Sequence, residues 1–400
     1  MLKTRLLTLY FFTLFNTYLL CAEPINEVSL DNLDGTVEGQ LKLFYYDIHK
    51  ETDEDAYATS LGGYLMYTTD TNEDLYGSVR FHNSTPITNY KNKQDTQLFN
   101  EEDAGTLSVL SESYLALHDD KQELKVGNMM LSTPMMNDDV TRTVPWSYQG
   151  VTYSTNISKH SQFQLYYINQ LRSHTSDEYK KESASGEIGS SGITMLNLKH
   201  NDGSLTLNTY YYYAPDLYST FIAQSDYKLR QKDETFFCFG AQYFNSGDGG
   251  KYAQTENKNG GDDIDLLAFR VGYNTQKWII NLNYSQNFGL SGIVKGYGGL
   301  AKVYTTSMVA NGRGNYKPET WMFKYLYNLD EFKWGQTQLA LWLTNTRVKD
   351  SRGNDFDAYY MHLKHNFDVT SSVYIRYENI HYKNAKSDVG YFRVISEYKF

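Results

Sequence analysis

The chain has 400 residues, with 37 Lys and Arg against 47 Asp and Glu, a formal charge of −10. That balance excludes a nucleic-acid binder, which needs a basic footprint, and the length admits one large domain or two to three ordinary ones. With 37 tyrosines and 16% aromatic residues in a chain only 40% hydrophobic, a thin apolar skin around a wet interior fits better than a soluble globule.

Residues 1–22 open with Lys3 and Arg5, run apolar from Leu6 to Leu20 and close on Ala22 ahead of Glu23-Pro24. This is the layout of a secretory signal peptide, and the apolar run is shorter than the ~20 residues of a spanning helix. Cys21 would be the acylated residue of a lipoprotein, yet Leu20 stands where that signal wants a small side chain. The expected division is a leader, 1–22, and one exported domain, 23–400, whose charge becomes −12 when Lys3 and Arg5 leave. Cys238 then remains alone, so no intramolecular disulfide is available. No later segment approaches eighteen consecutive apolar residues, so a membrane would not be crossed by helices.

From residue 35 onward the sequence has period two. In 357–367, Tyr359, Met361, Leu363 and Phe367 share one parity, with Tyr360, His362, Lys364 and Asn366 on the other. In 389–400, Phe392, Val394, Tyr398 and Phe400 oppose Arg393, Glu397 and Lys399. Strict alternation marks a strand with one apolar and one wet face. Such segments recur at 35–48, 57–69, 75–84, 107–118, 123–128, 149–157, 162–171, 192–200 and 204–214. They continue at 219–230, 235–245, 264–274, 277–289, 319–329, 337–347, 357–367, 371–383 and 389–400. The set is about eighteen strands of ~10 residues, the length that crosses a bilayer at a tilt.

Tight turns, such as 70–74, 119–122 and 201–203, alternate with longer connections, such as 85–106, 129–148, 172–191 and 290–318. Tyr and Trp gather near strand ends (Tyr67, Tyr211, Tyr213, Tyr273, Trp278, Trp321, Tyr327), as interfacial girdles do. The expected fold is all-β: a closed, antiparallel transmembrane β-barrel of about eighteen strands.

Parity puts Lys42, Arg80, Lys125, Lys228, Arg230, Arg270, Lys324, Lys364, Arg376 and Arg393 on the wet faces, against fewer acids: Glu38, Glu112, Asp226, Glu378 and Glu397. Most other acids fall in connections. Each base can simply pair with a neighbouring acid, but the set as a whole predicts a basic wall that attracts anions or carboxylates. The nine histidines show no ligand spacing, and no Ser/His, H-E-x-x-H or cysteine-pair pattern appears, so no catalysis, cofactor or metal is expected. The acid- and glycine-rich stretch 247–265 resembles a calcium loop only in composition, and 296–302 (GYGGLAK) lacks the ending of a phosphate loop and reads as a mobile outer loop.

One connection is out of character. Residues 129–150, MMLSTPMMNDDVTRTVPWSYQG, carry four methionines, two prolines, a tryptophan and the lone Arg142. With its flank LKVGN, this segment resembles the one that follows the fifth strand of OprD-family porins, including ε-proteobacterial relatives and Campylobacter-type major outer-membrane porins. The start (GQLKLFYYDI…SLGGYLMYTT), the end (YFRVISEYKF) and Tyr304-Thr305-Thr306-Ser307 with Asn311-Gly312 are similar to those families as well.

The resemblance implies an eighteen-stranded porin of the Gram-negative outer membrane, often trimeric, in contact with lipid and lipopolysaccharide. Its third extracellular loop would fold inward and narrow the pore. Pro134, Asp138, Asp139, Arg142, Pro145 and Trp146 would belong to that loop, facing a basic ladder on the wall. The cargo would be small hydrophilic solutes and ions; many members take up carboxylate-containing nutrients, whereas the ε-proteobacterial relatives look like general porins. The methionines would fill gaps between loop and wall, and the two prolines would stiffen a segment with no ladder of its own. Arg142 either pins the loop to a wall acid or faces the solute path; the cost of an unpaired charge favours the pin. The alternative function is a surface-display or adhesin-like barrel with incidental conductance.

Overall fold

The computed structural model describes residues 35–71, 74–139, 141–182, 189–231, 234–250, 263–289, 297–310, 317–329, 335–349, 353–383 and 387–400. The expected leader lies outside these residues, as do most of the 247–265 stretch and Asn311-Gly312. Among the described residues the chain forms eighteen strands. The first nine are β1 (Gly35–Lys50), β2 (Ala56–Thr69), β3 (Leu75–Lys91), β4 (Leu107–His118), β5 (Gln122–Met129), β6 (Ser147–Ser158), β7 (Ser161–Arg172), β8 (Ile193–Asn201) and β9 (Leu205–Ala214). The rest are β10 (Tyr218–Arg230), β11 (Phe236–Asp248), β12 (Ile264–Asn274), β13 (Trp278–Asn287), β14 (Pro318–Leu329), β15 (Gln336–Val348), β16 (Phe356–Asn366), β17 (Ser371–Tyr382) and β18 (Val389–Lys399).

Each strand pairs antiparallel with its chain neighbours, and β1 pairs with both β2 and β18, so the sheet closes on itself. Gly39 and Phe400 exchange backbone hydrogen bonds of 2.8 and 3.0 Å at that seam. Closure leaves no terminal strand with an open edge along its length to recruit another chain.

The burial pattern is the reverse of a soluble sheet. On β16, Tyr359 and Met361 are 50% exposed, whereas Tyr360 is 1% and His362 8% exposed. The same inversion places Leu115 and Leu117 of β4, Leu196 and Leu198 of β8, Phe269 and Val271 of β12, and Leu339, Leu341 and Leu343 of β15 on the surface. A monomeric soluble protein does not expose an apolar belt of this extent; a barrel with its outer face in lipid does. Arginine in place of Phe269, midway along β12, should therefore cost about 2–4 kcal/mol of folding stability in vesicles, the penalty of a lipid-facing cation near the bilayer centre. Urea unfolding of the variant in lipid checks the value, and an unchanged midpoint would contradict a lipid-facing belt.

Observed strand ends fall within three residues of the expected ones, with one exception. β3 continues through Pro86 to Lys91, where a loop was expected. Its pairing with β4 stops at Ser84–Leu107, so beyond that point only β2 needs its backbone, and a register shift at Tyr57/Thr59 accommodates the change. Proline is tolerated there because no strand on the far side calls for its missing N–H. A second difference is that β9 and β10 are joined by only 215–217, on the side where the other connections are longer.

Candidate functional site

β5 is the shortest of the described strands, eight residues ending at Met129 opposite Tyr148, and the segment 130–146 leaves the wall there. Its tip is a small turn closed by a Ser132–Asn137 bridge. Within it, the Thr133 hydroxyl accepts from the Met136 N–H at 2.9 Å, and Pro134 occupies the second turn position that its fixed φ suits. Asp139 adopts a left-handed φ of 40°, which aspartate tolerates better than most residues.

Met129, Met135 and Met136 are buried in one cluster with Tyr148, Met195, Tyr212, Ile222, Phe244 and Leu266, which belong to β6 and β8–β12. The expected wall is thus found for these three methionines, whereas Met130 lies against the Arg80 guanidinium, whose Nη1 is 3.8 Å from its sulfur. Other residues of the segment touch the opposite sector of the barrel. Thr143 shares a 2.9 Å hydroxyl hydrogen bond with Ser60 of β2, and the Thr141 carbonyl accepts from Arg393 of β18 at 3.5 Å. The Arg142 guanidinium lies 5.2 Å from the Tyr46 ring of β1.

A second segment, 297–310, packs on the first. The Lys302 N–H donates to Pro134 O at 3.0 Å. Asn137 donates to Leu300 O at 2.8 Å and accepts from Leu300 N–H at 3.1 Å, while Tyr148 donates to Asn137 O at 3.0 Å. Gly298 and Gly299, at φ of 71° and 74°, let the backbone come this close: a Cβ on Gly298 would sit 2.8 Å from the Trp146 ring, and one on Gly299 2.6 Å from Asn137 O. Tyr297 and Ala301 are buried. The expectation of a mobile outer loop is corrected for 297–302, because its backbone is hydrogen-bonded to the first segment and Tyr297 and Ala301 are covered, although Lys302 is exposed.

The expected basic residues divide into three groups. Lys42 pairs with Glu397 at 3.0 Å, Arg80 with Glu112 at 2.8 Å, Lys125 with Glu123 at 3.1 Å, and Arg270 with Asp226. Lys228 and Arg230 are exposed near the turn end of β10, and Lys364 is half-buried on β16 with no ion pair among the described residues. The third group, Lys324, Arg376 and Arg393, lies deeper and likewise makes no ion pair among the described residues, although the buried Glu378 acts on both arginines at longer range. Lys324 donates to Thr306 O at 3.3 Å and stands 4.7 Å from the centre of the Trp342 ring.

Arg376 and Arg393 face each other as direct cross-strand partners, a pairing of like charges that costs stability. Aromatic faces offset part of that cost. Arg393 lies 4.2 Å from the Tyr46 ring and donates to its hydroxyl at 2.9 Å, and Arg376 lies 5.0 Å from Tyr374 and donates to the Tyr360 hydroxyl at 3.1 Å. Arg142 approaches the same Tyr46 ring, so three guanidinium groups gather around a few tyrosines. Arg142 and Arg393, with Asp139, Thr141 and His174, line a cavity of about 590 Å³. The Nε groups of Arg142 and Arg393 have no hydrogen-bond partner among the described residues. Burial, then the charge of Arg393, pushes the Arg142 guanidinium down to about 10, which leaves it charged at neutral pH. Burial raises the Asp138 carboxyl above its ordinary range, opposed by Lys302.

Among the described residues Arg142 makes no ion pair that would pin the segment to a wall acid. Its hydrogen bonds go to Thr141 and, at 3.0 Å, to Gln97. The buried pin is Arg172, which the alternation pattern places at the start of a loop. It is 1% exposed and donates to Pro145 O, Ser173 O and Ser176 O, each at 2.9 Å, and to the Ser147 hydroxyl at 3.1 Å. Trp146 meets His174 edge-on at 5.7 Å. Nothing local in the sequence marks Arg172 or Asn137 for these roles, since most of their partners are carbonyls brought close only by the fold.

The sequence matches the profile described as outer membrane porin, OprD family, over residues 116–399. A search of curated proteins found no match. Among solved structures, OccAB4 of Acinetobacter baumannii superposes with a TM-score of 0.79 at 19% identity, covering 91% of this chain and 97% of that one. OpdK of Pseudomonas aeruginosa gives 0.79 at 16% identity over 92% and 98%, and the same protein with vanillate gives 0.78 at 16% over 91% and 98%. At these identities the structures speak for the fold, and the profile match for the family. The chain belongs to the OprD family of outer membrane porins.

Proposed function

We propose that this diffusion channel favours small anions and carboxylate-bearing solutes, and that segments 130–146 and 297–310 fold across the bore to set its narrowest part. The observation that carries the reading is the group Arg142, Arg376 and Arg393, three cations without an ion-paired carboxylate among the described residues. In a low-dielectric tube such fixed charges raise the local anion concentration. The contacts of 130–146 with β1, β2 and β18 on one side, and with the β8–β12 cluster on the other, support a segment that reaches across the barrel. The leader at 1–22, the trimer, the lipopolysaccharide contact and the ε-proteobacterial subtype belong to the same proposal and rest on the sequence and its resemblance.

Purified protein in planar bilayers should give discrete conductance steps, and a KCl gradient should give a reversal potential of anionic sign. Vanillate is a sensible first solute, because a related OpdK structure holds it. Absence of steps would favour the surface-display reading, and a cationic reversal potential would refute the anion preference.

A further inference from the structure

We infer that Arg172 is the positioning residue of the constriction: it holds the trailing end of segment 130–146 and thereby keeps the Arg142 guanidinium at the cavity. The inference rests on the proposed constriction by that segment. Arg172 ends β7, directly opposite Ser147 in the β6–β7 register, where the segment rejoins the wall. Its planar fork reaches Pro145 O and the Ser147 hydroxyl on one side and Ser173 O and Ser176 O on the other. One guanidinium therefore ties the end of 130–146 to the start of 173–182. Lysine, with a single nitrogen, has no such fork and cannot reproduce this four-partner grip.

The consequence runs along the chain. Pro145 precedes Trp146, whose N–H donates to Asp138 O at 2.8 Å, so fixing Pro145 fixes the closure of the segment on itself. Arg142 lies three residues before Pro145, with its outward hydrogen bond to Gln97. A second link between neighbouring connections runs through Glu101, whose N–H donates to Thr175 O at 2.8 Å and whose carboxylate accepts from the Thr175 hydroxyl and from Lys180, each at 3.2 Å; these side-chain contacts are exposed, whereas the Arg172 grip is buried. Loss of that grip frees the trailing end without touching a cation at the cavity.

Arg172→Ala and Arg172→Lys should be compared in planar bilayers, with Arg142→Gln as the reference for the constriction itself. Arg172→Ala should raise the rate of brief current transitions roughly tenfold to a hundredfold, the factor given by losing a charge-assisted hydrogen bond, and should lower anion preference. Arg172→Lys should lie between Ala and the parent. A merely structural role would lower the temperature of heat-modifiable migration in gels while leaving selectivity and current transitions of the folded fraction unchanged, and that result would overturn the inference. If Arg172→Ala does not assemble, the Lys variant decides: parent-like transitions and selectivity would overturn it. Should Arg142→Gln also leave selectivity unchanged, the failure belongs to the constriction reading; should it shift selectivity while the Arg172 variants do not, only the positioning role fails.

Discussion

Arg393→Gln should lower the chloride-to-potassium permeability ratio by roughly fivefold to tenfold. A unit charge ~5 Å from a passing ion contributes about 0.8 kcal/mol even at the dielectric of water. The anion loses that attraction while the cation loses an equal repulsion, so the ratio moves by about twice the single value. Screening removes part of it, about two-fifths at that separation for a Debye length of about 10 Å in 0.1 M salt, which leaves a change of roughly fivefold to tenfold. Arg393 makes no ion pair among the described residues, and the buried Glu378 of β17, which acts on it at longer range, offsets its charge only in part. The variant also loses the hydrogen bonds to Tyr46 and Thr141, and Arg376→Gln, which touches neither, should shift the ratio in the same direction. Lys228→Gln is the control: Lys228 is exposed near the turn end of β10, where wide, solvated surroundings weaken its field. Reversal potentials that do not respond to Arg393 and Arg376, or that respond equally to Lys228, would remove the arginine group as the source of selectivity.

The barrel was legible because a lipid-facing strand must alternate over its whole length, and that demand is written into consecutive residues such as Tyr359, Met361 and Leu363. The methionines of 129–136 were legible as packing residues for a related reason: apolar side chains in a long connection require a wall to meet. The wall charges were legible only as a parity set. Whether Arg80 meets Glu112 while Arg376 meets Arg393 depends on register between strands, which alternation within one strand does not specify. The pin was hidden for the same reason. Arg142 stands out by its isolation, yet the residue that grips the segment is Arg172, whose partners are mostly backbone carbonyls and lie on both sides of it. A strand end at Pro86 is the natural reading of a proline, and only the early stop of the β3–β4 pairing shows why this proline is tolerated.

Gly299→Val should open the contact between the two packed segments and raise single-channel conductance. At φ 74° a β-branched residue costs about 1–2 kcal/mol in backbone strain alone. Its Cβ would also stand 2.6 Å from Asn137 O and 2.7 Å from Asn137 Oδ1, so one of the two backbones must move. Movement sacrifices the paired hydrogen bonds between Asn137 and Leu300, and each such bond contributes about 1 kcal/mol. Strain and lost bonds together amount to about 3–4 kcal/mol, enough to shift a loop arrangement by more than a hundredfold. The strands do not depend on this contact, so heat-modifiable migration should still report a folded barrel. Asn137→Ala removes the same bonds from the other partner and should raise conductance to a smaller extent, because it adds no clash. Gly189→Ala is the matched control: its Cβ would meet Glu182 O at 3.7 Å, an ordinary contact, and conductance should not change. A Gly299→Val channel with the parent's conductance would show that segment 297–310 does not support the narrowest part of the pore.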